Sequence, residues 1–427
     1  MSLKFKWETE FKETEIGEIP KDWKVKSIGQ ITKEAIVGST PLRRIKGYWE
    51  KGTIPWLTNK EVQYNQINFI EDTEEKITPY ALKRTNLKLI PPFSLIVSFT
   101  ASVGKVAINK IPITTNQQFI SFVLDSKENV KFYAYYLLLS QELIESFSGA
   151  TPFSFITKEK ALQIPIPYPS PPEQSRIAIV LSWFDDLIEN KKRQNEILEK
   201  VAMAIFKSWF VDFEPFKDEE FVYNEELGKE IPKGWEVDFA TKFIDFNPPI
   251  RLIKGKVYPF VEMKQVSTNS AVCDFDYKEF TGSGVRYRGG DTLMARITPS
   301  LEHGKTAYVW FISEEEYGFG TTEFFVLHPK EPYLKEFTYL LAKSDDFRDV
   351  AINSMTGTSG RQRADVNALK NFLIPIPPQP ILEKFHTLVE PLFQKIILNQ
   401  KQIMILRKIR DALLPKLVFG KLRVEEI

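Results

Sequence analysis

EIPKDWKV at Glu18–Val25 and EIPKGWEV at Glu230–Val237 lie 212 positions apart and differ at only two of eight residues. In each, a proline fixes φ just ahead of a tryptophan (Pro20 before Trp23, Pro232 before Trp235). Each therefore reads as a stiff turn that leads an aromatic anchor into a domain. The match extends upstream to Gly17 and Gly228, in EIGEIPKDW and ELGKEIPKGW. Chance does not account for that length, and the chain reads as two copies of one large unit.

At 427 residues there is room for two or three domains, each with its own core. No run of 18 uninterrupted apolar residues occurs, which excludes a membrane span, and the N-terminus MSLKFKWETEFKE lacks the apolar region of a signal peptide. Cys273 is the one cysteine, which fits a reducing cytoplasm. His303, His328 and His386 are scattered, so no His/Cys metal cluster is expected. Net charge is +1, and composition alone does not announce a nucleic-acid binder.

A second echo follows the first. IPIPYPSPPEQSRI from Ile164 answers IPIPPQPILEKF from Ile374. Alternating Ile and Pro cannot be helix or central strand, so each is an extended, rigid connector. Each leads into a long helical pattern. After Pro172, apolar residues fall at Ile177, Leu181, Phe184 and Ile188, then at Leu198, Ala202, Ile205 and Trp209, the spacing of a coiled-coil seam. The later copy offers Leu388, Leu392, Leu406, Ile409 and Leu413. Both carry a polar middle, ENKKRQNE at 189–196 and NQKQ at 399–402. Antiparallel pairing makes the two polar stretches meet while the apolar halves bury each other. Helices of ~40 residues span roughly 60 Å and act as a ruler.

Between turn and connector the two copies match in outline. TIPWLTNKEV (Thr53–Val62) aligns with VYPFVEMKQV (Val257–Val266), and LIVSFTASVGKVAI (Leu95–Ile108) with LMARITPSLEHGKTAY (Leu293–Tyr308) around a shared Gly-Lys pair. TTNQQFISFVL (Thr114–Leu124) answers GTTEFFVL (Gly320–Leu327). These read as strands, followed by a helix and a glycine-containing loop. The framework is kept while the polar content of the loops differs, which points to two similar jobs on different targets.

Catalytic motifs mostly fail. NPPI at Asn247–Ile250 lacks the ring that adenine methyltransferases place after Asn-Pro-Pro to stack on a flipped base. Asp245 with Glu262-Met263-Lys264 resembles an Asp…Glu-x-Lys magnesium nuclease site, but Thr58 stands at the position equivalent to Glu262. Gly104-Lys105, Gly255-Lys256 and Gly304-Lys305 all lack the upstream glycine of a phosphate-binding loop. GSGVRYRGG (Gly282–Gly290) reads as a flexible basic turn.

What remains is decoration of the loops. Residues 20–164 hold 19 Lys and Arg against 13 Asp and Glu, net +6; residues 232–374 hold 18 against 19, net −1. Candidates for phosphate and base contacts are Arg43, Arg44, Lys46, Lys60, Lys83, Arg84, Lys105, Gln117 and Gln118 in the first copy. In the second they are Lys264, Arg286, Arg288, Arg296, Lys305, Arg361, Gln362 and Arg363. Trp209, Phe210 and Phe213, near the end of the first long helix, are candidates for partner docking, with core packing against the second helix as the equal alternative.

Taken together, the paired Ile-Pro-Lys-x-Trp openings (Ile19–Trp23, Ile231–Trp235), the paired Ile-Pro-Ile-Pro connectors and the helix after each resemble the specificity subunit of a type I restriction–modification enzyme. Pro172-Glu173-Gln174 at the first helix start matches the family; the second copy departs, with Gln379-Pro380 and then Glu383. The resemblance covers almost the whole chain. It implies an α/β (α+β) protein with an internal two-fold repeat: two similar globular target-recognition domains separated by two long antiparallel helices that form a coiled coil. The segments are 1–164 (N-terminal segment and first recognition domain), 165–214 (first long helix), 215–374 (second recognition domain) and 375–427 (second long helix). It further implies that each domain reads one half of a bipartite double-stranded DNA target. Two methylation subunits would dock on the chain, and motor-nuclease restriction subunits would join, in a prokaryotic cytoplasm. S-adenosylmethionine, ATP and magnesium belong to those partners, with no catalytic residue, metal or cofactor in this chain. Two alternatives stand beside it: a magnesium-dependent nuclease using Asp245, Glu262 and Lys264, and a two-headed scaffold that binds proteins rather than DNA.

Overall fold

The two echoes of the sequence turn out to be each other's partners. Lys24–Ser27, just after the first Trp turn, pairs antiparallel with Pro165–Tyr168 of the first Ile-Pro connector. Glu236–Phe239 pairs in the same way with Leu373–Ile376 of the second. Each is a ladder of only two strands, where a proline's missing N–H can face away from the pairing. The turn itself is repeated bond for bond: Trp23 N donates to the Pro20 carbonyl at 3.0 Å, and Trp235 N to that of Pro232 at 3.1 Å.

The computed structural model describes residues 3–100, 102–126, 129–147, 155–358 and 360–426. The chain divides into two units, Met1–Asp186 with Leu406–Ile427, and Leu187–Ile405. The glycine-containing loop expected after the first copy's helix falls at 148–151, outside the described residues.

In unit 1 a five-stranded sheet runs in the order Thr32–Val37, Phe119–Leu124, Leu95–Ser98, Val106–Asn109, Ile67–Ile70, with only the last pair parallel. Unit 2 repeats its first four places with Ile244–Phe246, Phe324–Pro329, Thr292–Ala295 and Thr306–Tyr308. A second sheet in each unit holds the same parallel pair, Thr114–Thr115 beside Ile54–Leu57 and Tyr317–Gly320 beside Val257–Val261. Leu95–Ser98 and Val106–Asn109 are buried along their whole length, because these strands have cover on both faces. Leu95, Val97, Val106 and Ile108 join one apolar core; their neighbours Ile96 and Ala107 join a second. Unit 2 alternates likewise, Met294 and Tyr308 to one core, Leu293 and Ala307 to the other. A one-residue slip in any of these strands would exchange the two cores, so the register is tightly specified.

Each long helix has 40 residues, Pro171–Phe210 and Gln379–Val418, and each contributes one end to each unit. Within unit 2 they run antiparallel, Asn195 against Asn399 and Phe210 against Phe385. The polar middles do meet: Asn399 Nδ2 donates to Asn195 Oδ1 at 2.9 Å, with both residues buried. The apolar seam that spacing pointed to is kept at Ile177, Leu181 and Ile188, which are buried, and is displaced further along. Ala202 is buried, but Leu198, Ile205 and Trp209 are half-buried, and Phe206 and Phe210 take the inner line. On the second helix Leu388 and Ile409 are exposed, Leu392, Leu406 and Leu413 are half-buried, and Phe385, Val389, Phe393 and Ile396 point inward. Both helices carry two adjacent apolar stripes, and the phenylalanines bury more area than the leucines beside them.

The start of the first helix is tied to both chain ends within unit 1. Glu173, 4% exposed, accepts from Trp23 Nε1 at 3.2 Å and is paired with Arg423, which also engages Glu8 and Asp22. Arg423 comes from the closing strand Leu422–Glu426, which pairs with Lys4–Trp7. Trp235 has a different support, a group of rings from Phe210, Phe213 and Phe216. Among the described residues no helix is long and apolar enough to cross a membrane.

Candidate nucleic-acid interface

In unit 1, five segments converge at one end of the sheets. Ser39 N donates to the Thr115 carbonyl at 2.9 Å, Asn116 N to that of Leu57 at 3.1 Å, and Lys105 Nζ to that of Asn59 at 2.8 Å. Thr40 also hydrogen-bonds Gln117, and the Asn116 amide donates to Gln118 Oε1 at 3.0 Å. Arg43 forms a two-pronged pair with Glu75 while its guanidinium lies 4.0 Å from the Trp49 ring centroid. The Arg43 hydrogen bond holds the Glu75 carboxyl below its ordinary pKa. Such a fork already occupies the edge that guanine or phosphate would use. Lys46 faces Glu50 at 3.9 Å, Arg84 lies over the exposed Tyr80 ring, and Lys60 is exposed close to Glu75. The exposed side chains of Arg44 and Lys83 engage no partner among the described residues.

Unit 2 builds the equivalent end from equivalent bonds. Thr321 N donates to the Val261 carbonyl at 3.2 Å, and Lys305 Nζ to that of Met263 at 2.9 Å. Arg296 N donates to the Glu323 carbonyl at 2.9 Å, as Phe99 N does to that of Gln118 in unit 1. Ala364 N closes on the Arg296 carbonyl, as Ile156 N does on that of Phe99. Arg363 forks onto Glu323 at 2.6 and 2.9 Å, holding that carboxyl below its ordinary range, and Arg296 rests on the Phe325 ring. Gln362 lies in the same segment, its carbonyl accepting from Thr298 N. The Arg361 side chain is exposed and has no partner among the described residues, and Lys264 faces Glu262 at 2.8 Å.

Sequence proximity misled at several of these positions. GSGVRYRGG is not a loose turn, since Val285–Arg288 is a strand of the second sheet. Arg286 rests on Phe280, and Arg288 Nε and the buried Asp291 carboxylate both approach His328 Nδ1, at 3.1 and 2.6 Å. Lys105 and Lys305 turn their ammonium groups onto main-chain carbonyls, and burial lowers the pKa of both.

Nuclease chemistry finds no support. Lys264 and Lys278 share the Glu262 carboxylate and hold its pKa down at about 2, and Asp245 faces Lys330 at 3.6 Å. Among the described residues no three His, Cys, Asp or Glu are grouped to hold a metal. Asn247 of NPPI has a backbone role: at φ +50° its side-chain oxygen accepts from Val326 N at 2.9 Å. Phe210 and Phe213, expected to dock a partner, are 5% and 4% exposed inside the unit 2 core, and half-buried Trp209 packs on Phe210, Phe216 and Phe385. The exposed apolar side chains of the long helices lie elsewhere. Ile179, Trp183 and Ile409 are in unit 1; Leu187, Ile197, Val201, Leu388, Leu398 and Ile405 are in unit 2. Their signal was present in the four-residue step Ile179–Trp183–Leu187, which the inner seam overshadowed.

Fold and loops together define a duplicated α/β protein, one frame used twice with different side chains at the same end. Comparison with known proteins gives the family. The family model described as "Type I restriction modification DNA specificity domain" matches residues 20–200. The MjaIX specificity subunit of Methanocaldococcus jannaschii, a type I restriction enzyme component, is 43% identical over 438 aligned positions, covering 100% of this chain and 99% of that one. The EcoR124I/EcoR124II specificity subunit of Escherichia coli is 30% identical over 202 residues, 44% of this chain and 47% of that one. The fold is shared with the crystal structure of the type I restriction–modification S subunit from M. genitalium, at a TM-score of 0.54 and 18% identity over 93% of this chain and 96% of that one. The chain belongs to the family of type I restriction enzyme specificity subunits.

Proposed function

We propose that each unit reads one half of a bipartite double-stranded DNA target, and that the long helices set the unspecific gap between the halves. One observation carries the reading: four bonds that tie four segments together at this end recur in both units, with different polar side chains around them. Arg44, Lys60 and Lys83 in unit 1 and Arg361 and Gln362 in unit 2 are the side chains best placed for phosphate and base contacts, and Lys264 reaches DNA by leaving Glu262. Arg43, Arg296 and Arg363 join them by exchanging a carboxylate or carbonyl for DNA. Half-sites one helical turn apart, ~34 Å, present successive major grooves on one face of the duplex.

In this reading the chain itself catalyses nothing. Two methylation subunits, which supply S-adenosylmethionine and the adenine chemistry, dock on the exposed apolar side chains of the long helices, and motor-nuclease subunits bring ATP and magnesium. With a net charge of only +1 the isolated chain binds DNA weakly, and the assembled complex binds tightly and in a salt-sensitive way. The test is a map of methylated adenines in the host genome with and without the gene, repeated after co-expression with the methylation partner. Loss and return of methylation at one split motif supports the reading. Unchanged methylation in both arms overturns it and favours a two-headed protein scaffold.

A further inference from the structure

The Gly-Lys pair shared by the two copies has a use that spacing could not reveal. Gly104 and Gly304 both take the left-handed region, at φ +88° and +69°, where a side chain would be strained. The lysine after each is held in the sheet through its carbonyl, which accepts from Ser98 N at 3.0 Å and from Ala295 N at 2.9 Å. Its side chain crosses to another element and donates to one carbonyl there, Asn59 at 2.8 Å for Lys105 and Met263 at 2.9 Å for Lys305.

Those two carbonyls occupy the same place in the repeat. Each lies in a four-residue turn whose first N–H is capped by the side chain three residues on. Thr58 N donates to Glu61 Oε2 at 2.9 Å, and Glu262 N donates to Gln265 Oε1 at 2.7 Å. In each turn the next residue is an exposed lysine, Lys60 or Lys264. The residues that supply the carbonyl and the cap differ, Asn against Met and Glu against Gln, yet ammonium, carbonyl and cap recur. A chance contact between a surface lysine and a nearby carbonyl does not repeat across two diverged copies.

We propose that Lys105 and Lys305 are positioning residues for sequence readout, each fixing the turn that presents Lys60 or Lys264 to its half-site, and are not themselves phosphate contacts. This rests on the DNA-reading function proposed above. Holding the turn by a side chain rather than by ladder bonds leaves its outer face free to vary. One scaffold then serves two different half-sites.

Salt dependence separates the two roles. A lysine that neutralises a phosphate releases a counterion, so its loss lowers the slope of log K against log salt by about 0.9 and weakens all sequences alike. A lysine already spent on a carbonyl releases none. The experiment uses the full chain assembled with its methylation subunits, and measures binding to the target duplex and to duplexes altered in one half-site, over a salt series. For Lys105→Met the expected result is an unchanged slope, with discrimination in one half-site reduced about tenfold, the scale of one mismatched base pair. Discrimination in the other half-site stays intact. Lys305→Met does the same with the half-sites exchanged, and arginine at either position restores discrimination. Lys83→Ala, at an exposed lysine outside either turn, is the reference for a phosphate contact and lowers the slope.

A slope reduced by ~0.9 with equal weakening of all sequences overturns the positioning role while leaving the DNA-reading function in place. So does full discrimination in both methionine variants. If the unsubstituted complex shows no specific, salt-dependent binding, the proposed function fails and the inference falls with it. Should one methionine variant not assemble, the other unit carries the same test.

Discussion

The meeting of the two polar middles makes a quantitative prediction. Asn399 is 0% exposed and Asn195 2% exposed. Asn399 Nδ2 donates to Asn195 Oδ1 at 2.9 Å and to Gln194 Oε1 at 3.2 Å, while Asn195 Nδ2 reaches the Ile396 carbonyl at only 3.4 Å. Asn399 Oδ1 is buried without a partner among the described residues. Asn399→Leu removes that orphan but leaves Asn195 Oδ1 without its donor, at about 1–3 kcal/mol for an unsatisfied buried group. The relieved orphan and the added apolar burial offset part of this, so a net loss of about 1–2 kcal/mol is expected. Asn195→Leu with Asn399→Leu leaves neither amide behind, and is neutral or stabilising. The pair then specifies register rather than supplying stability, as a polar residue at a coiled-coil seam does. In a unit of this size 1 kcal/mol moves Tm by roughly 2–4 °C. Thermal unfolding of the single and double variants therefore reads the coupling, expected at 0.5–3 kcal/mol in a double-mutant cycle. A single variant as stable as the double, or additive losses with no coupling, would refute the argument.

Three further expectations follow from particular contacts. Arg423→Met leaves the buried Glu173 carboxylate with only the Trp23 indole, and should cost unit 1 about 3–5 kcal/mol; adding Glu173→Gln recovers much of the loss, and calorimetry of both variants decides. In unit 2 the hydrogen bond to Glu336 raises the pKa of His386 above its ordinary value. That stabilisation is present below the unfolded value near 6.5 and is lost as pH rises through the folded one; Glu336→Gln should flatten the dependence in pH-resolved thermal melts. Trp183→Ala, on an exposed helix face, should weaken assembly with the methylation subunits in pull-down while leaving Tm within about 1 °C, whereas Phe210→Ala, a core ring, should cost about 3–5 kcal/mol.

What the sequence determined by itself is whatever depends on local geometry or on identity repeated along the chain. Proline before tryptophan fixes a turn, Ile-Pro alternation forbids helix, and a 3-4 apolar step with a polar interruption makes a long helix that pairs with its polar stretches matched. These rules needed no tertiary context, and the duplication made each of them visible twice. The tertiary structure decided which of two adjacent apolar stripes faces inward, because seam choice depends on summed ring area across a partner helix rather than on spacing. It also decided which cations remain available. Arg43 and Arg363 are distant in sequence from Glu75 and Glu323, so nothing local shows that their forks are filled. Lys105 and Lys305 look like surface lysines until the chain folds Asn59 and Met263 beneath them. A charged side chain's role is set by its nearest unsatisfied partner, and that partner is chosen by the fold.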